Sequence, residues 1–132
     1  MKILIVEDEY LVATSLKYLL ETMGYEVEGI ADNVTSALNE AERTQPQLAF
    51  VDIQLANGDS GLDAAAELKK RGVICIFLTG NPPEGPRPDL ALGCLPKPFS
   101  DVALVAAIKI AKAVIEGSPL PKAPPGLELY TN

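Results

Sequence analysis

Four stretches of this chain run apolar and then stop on a side chain that can do chemistry. KILIV (residues 2–6) closes on Glu7-Asp8-Glu9, LAFV (48–51) on Asp52, VICIFL (73–78) on Thr79, and GCLP (93–96) on Lys97. Carboxylates, a hydroxyl and an ammonium group together suit phosphoryl transfer assisted by a hard divalent cation. Carboxylates brought close repel one another strongly at low effective dielectric, and a cation and a lysine sharing the site relieve that repulsion. Oxygen ligands with room for water favour Mg²⁺ over zinc. Asp52 would then attack phosphorus while Mg²⁺ and Lys97 neutralise the phosphoryl oxygens.

Those residues meet only if the runs are neighbouring strands pointing the same way. The apolar runs are short, rich in branched residues and separated by helical patterns. Val12, Leu16, Leu19, Leu20 and Met23 follow helical spacing up to Gly24, and Asn33 caps a second pattern that ends before Pro46. Ser60, with Asp63 three residues on, resembles a capping box, Glu67 can pair with Arg71, and Gly72 stops that helix. Ser100 caps a last helix to about Glu116, before Gly117 and Pro119. EVEGIA (26–31) alternates and carries two Glu, which suits an edge strand. Strands alternating with helices, most of them apolar throughout, predict a doubly wound α/β domain with a parallel sheet covered on both faces. In such a sheet the strand ends share one edge, and that edge is where ligands bind.

The bulk numbers narrow the class. At 132 residues the chain is expected to form one domain. A net charge of −7 argues against a nucleic-acid surface. Histidine is absent, which removes His general bases, His metal ligands and any phosphohistidine donor within the chain. Cys75 and Cys94 lie in apolar runs without CxxC spacing and read as buried thiols of a cytoplasmic protein. No run has the length of a membrane span, and the acids after Val6 break any secretory signal.

The order of these parts, an acid pair first, a single acid third, a hydroxyl fourth and a lysine fifth, resembles the receiver domain of two-component response regulators. The matching pieces are ILIVEDE, LAFVDIQL with GDSGL after it, IFLTG and LPKPF. The resemblance covers roughly residues 1–116, leaving 117–132 as a proline-rich tail. It implies a five-stranded parallel sheet in the flavodoxin-like order 2-1-3-4-5. It also implies Asp52 as phospho-acceptor, Asp8 as principal acidic metal ligand and Glu7 as holder of metal-bound water. Gln54 would offer a backbone carbonyl to Mg²⁺, Thr79 would be the switch hydroxyl, and Lys97 the charge partner. Lys97-Pro98 resembles the family's cis peptide. The implied partners are a histidine kinase or histidine phosphotransfer protein and a downstream protein target. The implied activity is signalling rather than enzymatic. The alternative is a pseudo-receiver that works only as a binding module. An Asp-nucleophile phosphatase is disfavoured, because that chemistry wants a second acid two residues after the nucleophile and Gln54 stands there.

Three features depart from the pattern. NPPEGPRPDLALG (81–93) replaces the family's fourth helix with a segment whose prolines allow at most one turn from Pro88 to Leu92. Cys94 stands where the family places its switch aromatic. In the last helix Asp101, Lys109, Lys112 and Glu116 fill one narrow arc, leaving apolar residues around the rest. Its excess apolar surface is expected to be covered by a partner, a second copy in a homodimer, or the tail. The tail is expected to be flexible, with docking of Leu127, Leu129 and Tyr130 as the alternative.

Overall fold

The computed structural model of the chain describes residues 1–130; Thr131 and Asn132, the end of the expected tail, lie outside them. Five parallel strands form the sheet: β1 (Lys2–Val6), β2 (Glu26–Ala31), β3 (Leu48–Val51), β4 (Ile74–Thr79) and β5 (Gly93–Pro96). Four α-helices are present among the described residues: α1 (Tyr10–Thr22), α2 (Val34–Thr44), α3 (Gly61–Lys70) and α4 (Asp101–Glu116). A sixth strand, β6 (Glu128–Leu129), lies antiparallel on the outer side of β5, so the order is β2-β1-β3-β4-β5-β6. The expected order 2-1-3-4-5 is present, with one strand more than the five expected. Apolar periodicity could not announce β6, because a two-residue strand carries no repeat.

Side chains alternate along each strand between two cores. Ile3, Ile5, Leu48 and Phe50 face α1 and α4, while Leu4, Val6, Ala49 and Val51 face α2 and α3. Burial on both faces is why the strands read as unbroken apolar runs. Asn33 and Ser36 cap α2 reciprocally, and Ser100 accepts from the Ala103 amide at 3.1 Å to start α4. Ser60 caps α3 through the Leu62 amide alone, without the return bond from Asp63 that a capping box requires. Glu67 pairs with Lys70 at 2.8 Å rather than with Arg71, whose guanidinium reaches the Glu67 carbonyl instead.

Between β4 and β5 there is no helix. The chain from Asn81 makes one turn at Pro88–Leu90, with the Leu90 and Ala91 amides both donating to the Arg87 carbonyl. Leu90 and Ala91 cover only part of the sheet face there, and the tail covers more. Tyr130 is 8% exposed and packs with Phe77 of β4, ring centroids 6.5 Å apart. On the opposite face Leu127 joins the core of α4. Ile110 of α4 is thereby buried, whereas Val102, Val114 and Ile115 stay exposed, so the tail covers part of that helix's surplus apolar surface. Burying Leu127 and Tyr130 contributes about 2 kcal/mol each and the main-chain bonds to β5 about 1 kcal/mol each, against roughly 4–8 kcal/mol for fixing a four-residue backbone. The attachment is therefore close to balance.

Candidate functional site

Three backbone hydrogen bonds align the strand ends. The Glu7 amide donates to Ala31 at 2.8 Å, the Asp52 amide to Val6 at 2.9 Å, and the Lys97 amide to Thr79 at 2.9 Å. Each continues the sheet one residue past its strand, so the polar side chains emerge together at one edge. The ammonium of Lys97 donates to Glu7 Oε1 and, at 3.2 Å, to Asp52 Oδ2. The other oxygen of each carboxylate accepts a backbone amide, Glu9 at 3.2 Å for Glu7 and Ile53 at 2.7 Å for Asp52. Asp8 is exposed beside them, and Glu7, Asp8 and Asp52 each offer an oxygen within 4.8 Å of the others.

The electrostatics are those of a crowded anionic pocket. Burial raises the Glu7 carboxyl above its ordinary range, repulsion from Asp52 adds to this, and the hydrogen bonds from Lys97 and Glu9 offset only part of it. Burial alone would lower the Lys97 ammonium, but the Glu7 hydrogen bond and the field of Asp52 outweigh it and raise its pKa. Three carboxylates against one ammonium leave two negative charges when all are ionised. A donor set made only of carboxylate oxygens, one of them exposed, fits a hard divalent cation such as Mg²⁺.

Thr79 is fully buried, and its hydroxyl accepts from the Asn81 amide at 3.0 Å rather than joining the network around Lys97. Gln54 is exposed and forms an isolated bridge with Ser60 in the loop after β3. The Lys97-Pro98 peptide is cis.

Two further residues, both within the GDSGL piece, shape the pocket in ways the sequence does not specify. A Cβ on Gly61 would lie 1.8 Å from the Asp52 carbonyl oxygen, so only glycine lets α3 begin against the backbone of the candidate acceptor. Asp59 Oδ2 accepts from the Val34 amide at 2.9 Å, and the Ala56 amide donates to Asp32 at 2.9 Å. Together they tie the loop after Asp52 to the start of α2. A glycine opening a helix, and an acid just after Asn57-Gly58, were the available signals.

The family model for the response regulator receiver domain matches residues 3–109. The phyllosphere-induced regulator PhyR of Methylorubrum extorquens is 43% identical over 115 residues, 83% of this chain and 43% of that protein. The transcriptional regulatory protein PdtaR of Mycobacterium tuberculosis is 34% identical over 115 residues, 83% of this chain and 56% of that protein. The chain thus spans about half the length of the curated relatives it matches. The solution structure of the PhyR receiver domain from Erythrobacter litoralis superposes with a TM-score of 0.74 at 31% identity, covering 93% of this chain and 95% of that one. With its strand order, its cluster of strand-end acids and lysine, and a match over most of its length, the chain belongs to the response regulator receiver domain family of two-component signalling.

Proposed function

We propose that Asp52 accepts a phosphoryl group from a phosphohistidine on a histidine kinase or phosphotransfer protein, and that the change is read by a downstream protein. The observation that carries this reading is the convergence of Glu7, Asp8 and Asp52 around Lys97 at the sheet edge. Bound Mg²⁺ would supply positive charge to the phosphoryl oxygens. Glu7, Asp8 and Asp52 would hold it, with the Gln54 carbonyl as a further oxygen.

A carboxylate oxygen of Asp52 forms the new P–O bond, the donor's P–N bond breaks, and its electron pair leaves with the imidazole. For that, Lys97 must exchange its bond to Asp52 for one to the incoming phosphoryl oxygens. The Ile53 amide keeps the other Asp52 oxygen oriented. The Thr79 hydroxyl would leave the Asn81 amide to meet the phosphoryl group. The acyl phosphate carries about −1.5 to −2 charge where the carboxylate carried one, so it adds negative charge to a pocket already short of cations, and that is the source of any conformational response. A protein donor must cover this edge. Tyr10 and Leu11, on the first turn of α1 directly after the acids, are 75% and 77% exposed and form a natural landing surface. Val102, Val114 and Ile115 on α4 are what a homodimer would use.

One observation favours a second reading. Lys97 already bonds both Glu7 and Asp52, as it would in an inert pseudo-receiver. Incubation with a small phosphodonor and Mg²⁺ separates the two. The receiver reading expects labelling of the wild type that is lost in Asp52→Asn and suppressed by a chelator. Equal labelling of both proteins, or none with Mg²⁺ bound, contradicts it.

A further inference from the structure

The outer edge of β5 combines features that the chemistry at Asp52 does not use. Edge strands expose unpaired amides and carbonyls, and proteins usually protect them with charge, proline or a covering helix. Here the two outermost pairing positions are Gly93 and Cys94, and the 81–92 segment supplies no helix to cover them. The chain's own tail covers them instead. Gly93 pairs with Leu129 and Cys94 with Glu128, and the Tyr130 amide donates to the Leu92 carbonyl at 2.7 Å.

This edge is shaped to receive a strand. A Cβ on Gly93 would lie 2.2 Å from the Glu128 carbonyl, so the close approach depends on that glycine. Alternation then sends the seated side chains to opposite faces. Leu127 and Leu129 meet Ala107 and Ile110 of α4, while Tyr130 meets Phe77 and the Cys94 thiol. The hold on the tail is slight by comparison. β6 has two residues, and residues 114–122, which lead to it, are exposed throughout. A short segment with few buried contacts belongs to the readily opened part of a fold.

We propose that the β5 edge is a strand-docking site for an extended segment of a partner protein, and that Leu127–Tyr130 is its resident placeholder. The seated tail defines the partner's chemistry: apolar residues at the first and third positions, an aromatic at the fourth, and a backbone running antiparallel to β5. Main-chain bonds give such a segment affinity and the alternating pockets give it specificity. The tail, being tethered, competes at high effective concentration, so the site is closed until the partner outcompetes it.

The test uses the full chain and a peptide with the sequence of residues 124–130, PPGLELY. Leu127→Ser/Tyr130→Ala should free the tail. Amide exchange at residues 129 and 130 accelerates while the amides of β1, β3 and β4 stay protected, which shows an intact fold. That variant should bind the peptide at least tenfold more tightly than the wild type, with chemical-shift changes at Gly93 and Cys94. A peptide carrying the same two substitutions should not bind. Gly93→Ala should release the tail yet fail to bind the peptide, because the added methyl blocks the edge itself. Three results overturn the proposal: a folded double variant that ignores the peptide, equal affinity in the double variant and the wild type, or undiminished binding in Gly93→Ala. None of these readouts involves Asp52, so they stand apart from the phosphoryl reading.

Discussion

The pocket at Asp52 and the outer edge of β5 share a strand but are held together differently. Lys97 follows β5 directly and closes the pocket, whereas Gly93 and Cys94 begin the same strand and carry the tail. At the pocket Glu7, Asp52 and Lys97 are joined by hydrogen bonds, and each strand end is pinned by its own backbone hydrogen bond. At the edge the partner is a two-residue strand whose attachment is near energetic balance. The first region is preorganised and the second is adjustable. A signalling domain needs both, because rigid chemistry must be read by a surface that can change.

Substitutions that break the pocket should have the largest effects. Gly61→Ala drives a methyl into the Asp52 carbonyl, so α3 or the acceptor backbone must move. A loss of about 3 kcal/mol in denaturant unfolding, together with most phosphoryl acceptance, is expected. Lys97→Ala comes next. It leaves Glu7 and Asp52 facing each other without their shared cation, and should cost about 2 kcal/mol. Mg²⁺ should restore much of that loss, so thermal unfolding with and without the ion checks the claim; an ion-independent deficit would count against a metal at this site.

Leu11→Glu should lower the transfer rate from a protein donor about tenfold or more, while the rate from a small phosphodonor stays unchanged. Equal effects on both rates would move the landing surface away from α1. Disruption of the edge should register least in global stability. Tyr130→Ala can cost no more than the tail's own attachment, about 1 kcal/mol, because further loss is avoided by undocking. A deficit of about 3 kcal/mol would show that β6 is an integral strand and erase the contrast between the two regions.

The pH dependence offers a finer comparison. Burial pushes the Cys75 thiol up to about 12 and the Cys94 thiol up to about 11. Both are raised above the ordinary value of 9.0, so the folded state holds its protons where the unfolded chain loses them. Their contribution is full below pH 9 and is lost as pH rises through about 11 to 12. Cys94 sits under the tail, so freeing the tail by Leu127→Ser/Tyr130→Ala should speed its alkylation while leaving Cys75 slow. Thiol alkylation mapped by mass spectrometry reads this directly.

Much of the pocket was legible because each of its residues interrupts an apolar run. Glu7, Asp8, Asp52 and Lys97 stand out by type and position, and parallel strands bring their ends to one edge. The strand order itself came from the resemblance, since apolar runs carry no information on which strand neighbours which. Gly61 and Asp59 stand in the matching GDSGL piece, but their roles are close approach and remote capping, which depend on packing rather than on local pattern. The present partner of Thr79, the Asn81 amide, lies in a loop without periodicity. The missing helix was plain from the prolines of 81–88. What replaces it, Tyr130 over Phe77 and Cys94, joins residues more than thirty positions apart and left only the apolar residues Leu127, Leu129 and Tyr130 as a trace.

The most direct test of the central claim is chemical trapping of the phosphorylated residue. After incubation of the full chain with a small phosphodonor and Mg²⁺, borohydride reduces an acyl phosphate to the corresponding alcohol. Peptide mass spectrometry should then find homoserine at position 52 and unmodified carboxylates at Glu7 and Asp8. Reduction at either of those two positions, or an unmodified Asp52 in a protein that binds Mg²⁺, would contradict the account.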